Sequence, residues 1–351
     1  MLILGIETSC DETAAAVVED RDGAWTLRSN VVASQVDIHR EWGGVVPELA
    51  SRQHVRDICG VVERALADGG VGWHDLGGIA VTEGPGLVGS LLVGVSFAKA
   101  AAWARGLPLV GVHHIAGHLE SLWLAHGSVP TPAIVLVVSG GHTSLYHVPE
   151  AGTYRLLGKT RDDAAGEAYD KVAKLLGLGY PGGPIVDRLA AGGNAEAIAL
   201  PVTRLTHPDR NARERDSRFD FSFSGVKTAV LRHVRARQAA LGTETLPDVE
   251  IADICASFQR VVVKTLLDRA FDAAREVDAR AVGVAGGVSA NRRLRDDLTA
   301  MGARRRLAVF VPPVALSTDN AAMIAAAGLR LFARGVLAGD RLNAVPSLPL
   351  D

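Results

Sequence analysis

The chain opens on an apolar run, Leu2-Ile3-Leu4-Gly5-Ile6, that meets the polar group Thr8-Ser9-Cys10-Asp11-Glu12-Thr13 and resumes as apolar residues 14–18. Short apolar runs on either side of a polar turn predict a β-hairpin, here with hydroxyls and carboxylates at its tip. The pattern returns: residues 133–138 run into Ser139-Gly140-Gly141-His142-Thr143 and then residues 144–148. A third apolar stretch, residues 281–285, ends in Gly286-Gly287 and predicts a helix from Asn291. Helical periodicity marks residues 46–66, 89–105, 251–277 and 320–334. Repeated strand-turn signals predict a duplicated α/β architecture with a cleft between two lobes. The boundary falls near Thr131, giving a first lobe of residues 1–131 and a second of residues 132–319. A helix of about residues 320–340 returns to the first lobe.

Composition narrows the class. A chain of 351 residues with 48% apolar content exceeds one compact core. A net charge of −2 supplies no global attraction to nucleic acid, so a polyanion must be met by a local patch or a second subunit. Residues 204–218 carry five arginines against Asp209, Glu214 and Asp216, which reads as an exposed loop, either self-compensated or gripping phosphates. Cys10, Cys59 and Cys255 form no CxxC pair, which argues against a disulfide framework or a thiolate zinc site. The first residues lack the basic start of a signal peptide, and the uncharged segments 84–98 and 121–149 are too short or too interrupted to span a bilayer. A cytoplasmic protein is expected.

Three features carry candidate chemistry. His114 and His118, four apart on a predicted helix, stack on one face and could share a metal, or could be ordinary polar helix positions. Ile115 and Gly117 leave no HExxH glutamate, which removes the general base a metallopeptidase would use. The turns at residues 137–141 and at Gly286-Gly287 are small enough for backbone N–H groups to meet a phosphate, and with the first hairpin they resemble the actin, Hsp70 and sugar-kinase superfamily. Between them, Asp170 and Lys171 stand at a predicted helix start. The stiff Pro181-Gly182-Gly183-Pro184 loop follows, with Asp187 one turn on, suited to a sugar or base.

The ordered strings extend from about residue 2 to about residue 330. They are Gly5-Ile6-Glu7-Thr8-Ser9-Cys10-Asp11-Glu12-Thr13, Gly43-Gly44-Val45-Val46-Pro47-Glu48, Gly84-Pro85-Gly86-Leu87, the His114/His118 pair, Ser139-Gly140-Gly141-His142-Thr143, Phe221-Ser222-Phe223-Ser224-Gly225, Gly286-Gly287-Val288-Ser289-Ala290-Asn291 and Ser317-Thr318-Asp319-Asn320. Together they resemble the tRNA threonylcarbamoyladenosine transferase family, once labelled O-sialoglycoprotein endopeptidases. That resemblance implies a duplicated actin/Hsp70/sugar-kinase-like (ASKHA) fold. It also implies transfer of threonylcarbamoyl from threonylcarbamoyl-AMP to the exocyclic amine of adenosine 37 in tRNAs reading codons that start with adenine. It implies a divalent ion, Fe(2+) or Zn(2+), on His114, His118 and Asp319 at the domain interface. Substrate contacts are implied at Val137, Val138, Ser139, Gly140, Gly141, Asp170, Gly183, Asp187 and Asn291. Asp11 and Glu12 are candidates for proton handling or nucleoside contact. A paralogous subunit of the same fold, a small P-loop ATPase and a separate adenylate synthase are implied as partners. An ATP-dependent kinase and a metalloendopeptidase are the alternatives weighed; the first needs no HxxxH pair and the second lacks its base.

Overall fold

The computed structural model describes residues 1–203, 205, 217–339 and 341–350. The chain divides into two units, Met1–Val129 with Pro312–Asp351, and Pro130–Val311. Residues 312–319, placed by the pattern at the end of the second lobe, fall in the first unit. They lead directly into a helix packed on that unit's sheet.

The first unit holds β1 (Leu2–Glu7), β2 (Glu12–Arg21), β3 (Ala24–Ser34), β4 (Gly78–Gly84) and β5 (Leu109–His113), ordered β3-β2-β1-β4-β5. Helices α1 (Val36–Arg40), α2 (Pro47–Gly69), α3 (Val88–Arg105) and α4 (His114–His126) complete its N-terminal part. β2 begins at Glu12, so Glu12 and Thr13 belong to a strand, with Glu12 opposite Ser34, rather than to the turn tip the pattern suggested. Carbonyl and amide pairing with β3 extends the strand past the last strongly apolar position.

The second unit repeats this order. Its strands are β6 (Ala133–Val138), β7 (Thr143–Val148), β8 (Arg155–Lys159), β9 (Ala281–Ala285) and β10 (Ala308–Phe310), ordered β8-β7-β6-β9-β10. In both sheets the first strand pairs antiparallel with the second and parallel with the fourth. Helices α5 (Ala165–Leu175), α6 (Gly182–Ala190), α7 (Ser224–Leu241), α8 (Asp248–Glu276) and α9 (Arg292–Arg305) follow. Asp170 therefore lies in mid-helix, not at a helix start, because α5 begins at Ala165 against the Ser139 turn. Asn291 is the N-cap of α9, its side chain accepting from Leu294 N at 2.9 Å. Most of residues 204–218 lies outside the described residues.

α10 (Ala321–Ala333) returns to the first unit. The central strands there are apolar at successive positions because both faces are covered. Ile3, Ala14, Ala16 and Val18 pack with α10, while Leu4, Ile6, Ala15 and Val17 pack with residues of α2 and α3. Gly5 makes the close contact possible: a Cβ there would lie 2.3 Å from Ala321 O and 2.7 Å from Ala325 N. Among the described residues no helix is long and apolar enough to cross a membrane.

Replacing Gly5 by Val forces the α10 backbone off the strand and is expected to cost at least the 1–3 kcal/mol usual for overpacking a core, about that order or more. Urea denaturation of the variant against the parent measures it.

Candidate functional site

In the first unit, Glu7, His114, His118 and Asp319 gather where β1, α4 and the loop before α10 meet. His114 opens α4 and His118 stands one turn later; their rings lie 4.8 Å apart, nearly edge to face. Gly117 faces α10, where a Cβ would come within 2.9 Å of Ile324, so the helix bearing the histidines packs closely on α10. The loop before α10 is held by its own bonds. Asn320 accepts from Met323 N at 3.1 Å, donates to Thr318 O at 2.7 Å, and so fixes the residue between them, Asp319.

Asp319 Oδ1 then lies 3.1 Å from His118 Nε2 and 3.6 Å from His114 Nε2. One ligand atom from each of the three residues falls within 4.8 Å of the others. The His118 ring is fully buried, yet neither of its nitrogens makes a hydrogen bond, and the 3.1 Å approach to Asp319 is off the direction in which the ring would donate. Three ligand atoms this close together, with the buried His118 ring making no hydrogen bond, suit a cation, and the N/N/O set suits iron or zinc. Asp319 keeps about a fifth of its side chain exposed, which leaves a side of the group accessible.

A fourth residue, with no role assigned from sequence, organises the histidines. Glu7, at the end of β1, is fully buried; it accepts from Ser9 N, from Thr82 Oγ1 at 2.7 Å and from His114 Nδ1 at 3.1 Å. Ser9 Oγ also lies 3.1 Å from His114 Nδ1. With Nδ1–H directed at Glu7, Nε2 is the ring nitrogen turned toward Asp319, the arrangement by which carboxylates orient metal-binding histidines; a cation there would take the place of the Nε2 proton. Burial opposes both charges. It is outweighed by the pair itself: Asp319 and Glu7 raise His114 to about 9, and His114 with Thr82 holds the Glu7 carboxyl below the usual range. The available signal was position alone, since a carboxylate ending an apolar strand is rare.

The neighbouring turn is braced by α2. The buried His54 donates from Nε2 to Cys10 O at 2.9 Å and accepts at Nδ1 from Thr13 Oγ1 at 2.7 Å, and Gln35 N donates to Asp11 O at 3.0 Å. Asp11 is buried and Glu12 half-buried. Burial, with Asp11 and Asp319 nearby, pushes the Glu12 carboxyl well above the usual range.

The second unit places the remaining candidates. Val137 and Val138 are buried in β6, on opposite faces of the strand. In the turn after β6, Ser139 N donates to His142 O at 2.8 Å and Gly166 N donates to Ser139 O at 3.2 Å, which brings the N-terminus of α5 against it. Gly140 and Gly141 have open space where a Cβ would stand. Asp170 accepts from Gly182 N at 2.7 Å and thereby holds the start of α6, while Gly183 is open. Asp187 pairs with Arg292 at 3.1 Å through one oxygen, and its other oxygen is buried without a partner. Asn291, besides capping α9, donates to Gln259 at 2.8 Å.

Among known proteins, the family model TsaD, tRNA N6-adenosine threonylcarbamoyltransferase, matches residues 26–326. The tRNA N6-adenosine threonylcarbamoyltransferase of Anaeromyxobacter dehalogenans (strain 2CP-C) is 54% identical over 346 residues, covering 98% of each chain. That of Moorella thermoacetica is 49% identical over 350 residues, covering 99% of this chain and 97% of its own. Solved structures share the fold at lower identity. HypF has a TM-score of 0.58 at 14% identity over 96% of this chain and 56% of its own. Component A of the Acidaminococcus fermentans (R)-2-hydroxyglutaryl-CoA dehydratase has 0.51 at 16% over 93% and 95%. The architecture is the actin/Hsp70/sugar-kinase-like one.

Zinc offered to the protein is expected to bind once per chain, and His118→Ala to remove that binding while the far-ultraviolet circular dichroism stays unchanged. Glu7→Gln should weaken it by about 10- to 100-fold, the usual cost of losing a partner of a ligating imidazole. Calorimetry with a competing chelator reads both; equal affinity in parent and His118→Ala sinks the ligand set.

Proposed function

Because this chain belongs to the tRNA N6-adenosine threonylcarbamoyltransferase family, we propose that it transfers the threonylcarbamoyl group of threonylcarbamoyl-AMP to N6 of adenosine 37 in tRNAs reading codons that start with adenine, in the cytoplasm. The observation that carries the reading is the convergence of His114, His118 and Asp319, oriented by Glu7, in a chain that matches the family over residues 26–326. In the reaction the adenine amine attacks the carbamoyl carbon, the C–O bond to phosphate breaks with its electron pair on the departing AMP, and the amine gives up a proton. The donor is an activated mixed anhydride, so no protein nucleophile is needed and positioning supplies much of the rate.

The roles divide between the units. Gly140 and Gly141 present backbone to the adenylate phosphate; Asp187 accepts from a nucleoside hydroxyl through its unpartnered oxygen, and Asp170 shapes the loop beneath Gly183. His114, His118 and Asp319 would hold one divalent ion, iron or zinc, which would supply Lewis-acid polarisation of the acyl oxygen. Asp11 or the Glu12 carboxyl handles the amine proton.

The helix that bears the histidines carries no general base for a peptidase. Glu120, on the same helix as the histidines, is fully buried and bound by Arg330 at 2.7 Å, and Glu7 sits on the Nδ1 side of His114, away from the ligand atoms. With a net charge of −2, the tRNA grip is completed by partners: a paralogous subunit of this fold and a small P-loop ATPase, with a separate synthase supplying the adenylate.

Gly141→Val is expected to leave the fold intact, since its Cβ meets open space, and to weaken AMP binding by more than about tenfold by blocking backbone approach; unchanged affinity in calorimetry removes the turn from the site. Mass spectrometry of tRNA nucleosides after incubation with threonylcarbamoyl-AMP should show modified adenosine with the parent and none with His118→Ala. The chain without partners should not sustain multiple turnovers.

A further inference from the structure

The C-terminal residues of the first unit lie against the elements that carry the metal-ligand candidates. Val345 N donates to Glu83 O at 2.7 Å, Gly86 N donates to Pro346 O at 3.2 Å, and Lys99 Nζ donates to Leu342 O at 3.0 Å. The seat is shaped for backbone: a Cβ on Gly84 would come within 2.0 Å of Val345 O. The segment ends on His113, whose Nε2 donates to Leu348 O at 3.0 Å.

His113 is the N-cap of α4, the helix that begins with His114. Its Nδ1 accepts from Ile115 N at 3.1 Å. A neutral imidazole has one donor and one acceptor, so the carbonyl of Leu348, by taking the Nε2 proton as a hydrogen bond, selects the tautomer in which Nδ1 can cap the helix. Without that carbonyl the alternative tautomer sets Nδ1–H against the Ile115 N–H, donor to donor, and the cap is lost. A second route runs through the loop that the segment covers. Leu87 N donates to Ser9 O at 2.8 Å, and Ser9 Oγ is 3.1 Å from His114 Nδ1.

We infer that residues 342–348 are a positioning strap for the His114/His118 helix, with His113 as the residue through which the strap acts. For its metal readout this rests on the reading of His114, His118 and Asp319 as ligands. The strap makes no contact with substrate in this scheme; it sets the direction of the first turn of α4 and hence of the His114 ring.

Two variants test it from opposite sides. Val345→Pro removes the donor that fastens the strap to Glu83, and His113→Ala removes its receptor. Zinc affinity, measured by chelator competition, should fall about tenfold in each, and the double variant should be no weaker than the weaker single, since both break one chain of contacts. His113→Asn, which keeps a donor and an acceptor, should recover most of the affinity. Hydrogen exchange of the α4 amides should accelerate in Val345→Pro, before any global unfolding. Zinc affinity within about twofold of the parent in both variants, or α4 exchange unchanged in folded Val345→Pro, overturns the strap. If parent and His118→Ala take up zinc alike, the ligand reading has failed instead, and the exchange measurement alone then decides whether the strap holds the helix.

Discussion

The close packing of α10 against β1 and α4 is the constraint from which the metal-ligand geometry follows. Asp319 stands at the end of the loop that feeds α10, some two hundred residues after the histidines, and reaches them only because that helix lies on the strand and helix with almost nothing between the backbones. Gly5 and Gly117 are the positions at which any side chain would occupy the gap. Close packing of this kind converts a small steric change into a displacement of whole elements, because a core packed like an organic crystal has no slack to absorb it.

Electrostatics finish what packing begins. Four ionisable groups, Glu7, His114, His118 and Asp319, share a largely dry pocket, which is a costly arrangement unless each charge has a partner. The Glu7–His114 pair offsets part of that cost and also selects which nitrogen of His114 remains a ligand. The His118 ring is left without a hydrogen bond, and there, beside Asp319, a cation fits. The same device recurs at His113, where a carbonyl selects the tautomer of a capping imidazole.

The second unit solves a different problem with the same topology. Its hairpin turn carries glycines instead of carboxylates, and the N-terminus of α5 is brought against it by the bond from Gly166 N to Ser139 O. Duplication has thus produced two sheets of identical strand order whose equivalent turns differ in chemistry: Asp11 closes the turn in one, and Gly140 and Gly141 form it in the other.

The period and sign of the local pattern were enough to place β1, β2, β6, β7 and β9, the helices α2, α3, α8 and α10 and the two glycine turns, because these depend on burial alternation and turn chemistry within a few residues; β3, β4, β5, β8, β10 and α7 carried no such signal. The four-residue spacing of His114 and His118 was likewise local, since a helix puts such residues on one face whatever surrounds it. Asp319 could be joined to them only by family resemblance, and Glu7, His54 and His113 had no role at all at that level. Their functions depend on contacts between residues 41 to 235 positions apart, and no periodicity encodes a contact of that separation. Glu12 shows the same limit in reverse: it read as a turn residue because its neighbours are polar, and pairing with β3 made it the start of a strand. Which side chains sit on one face was a property of the sequence. Which nitrogen carries the proton, which oxygen is left without a partner and how near two backbones lie were decided by the tertiary structure, because each depends on groups that only folding brings within hydrogen-bonding distance.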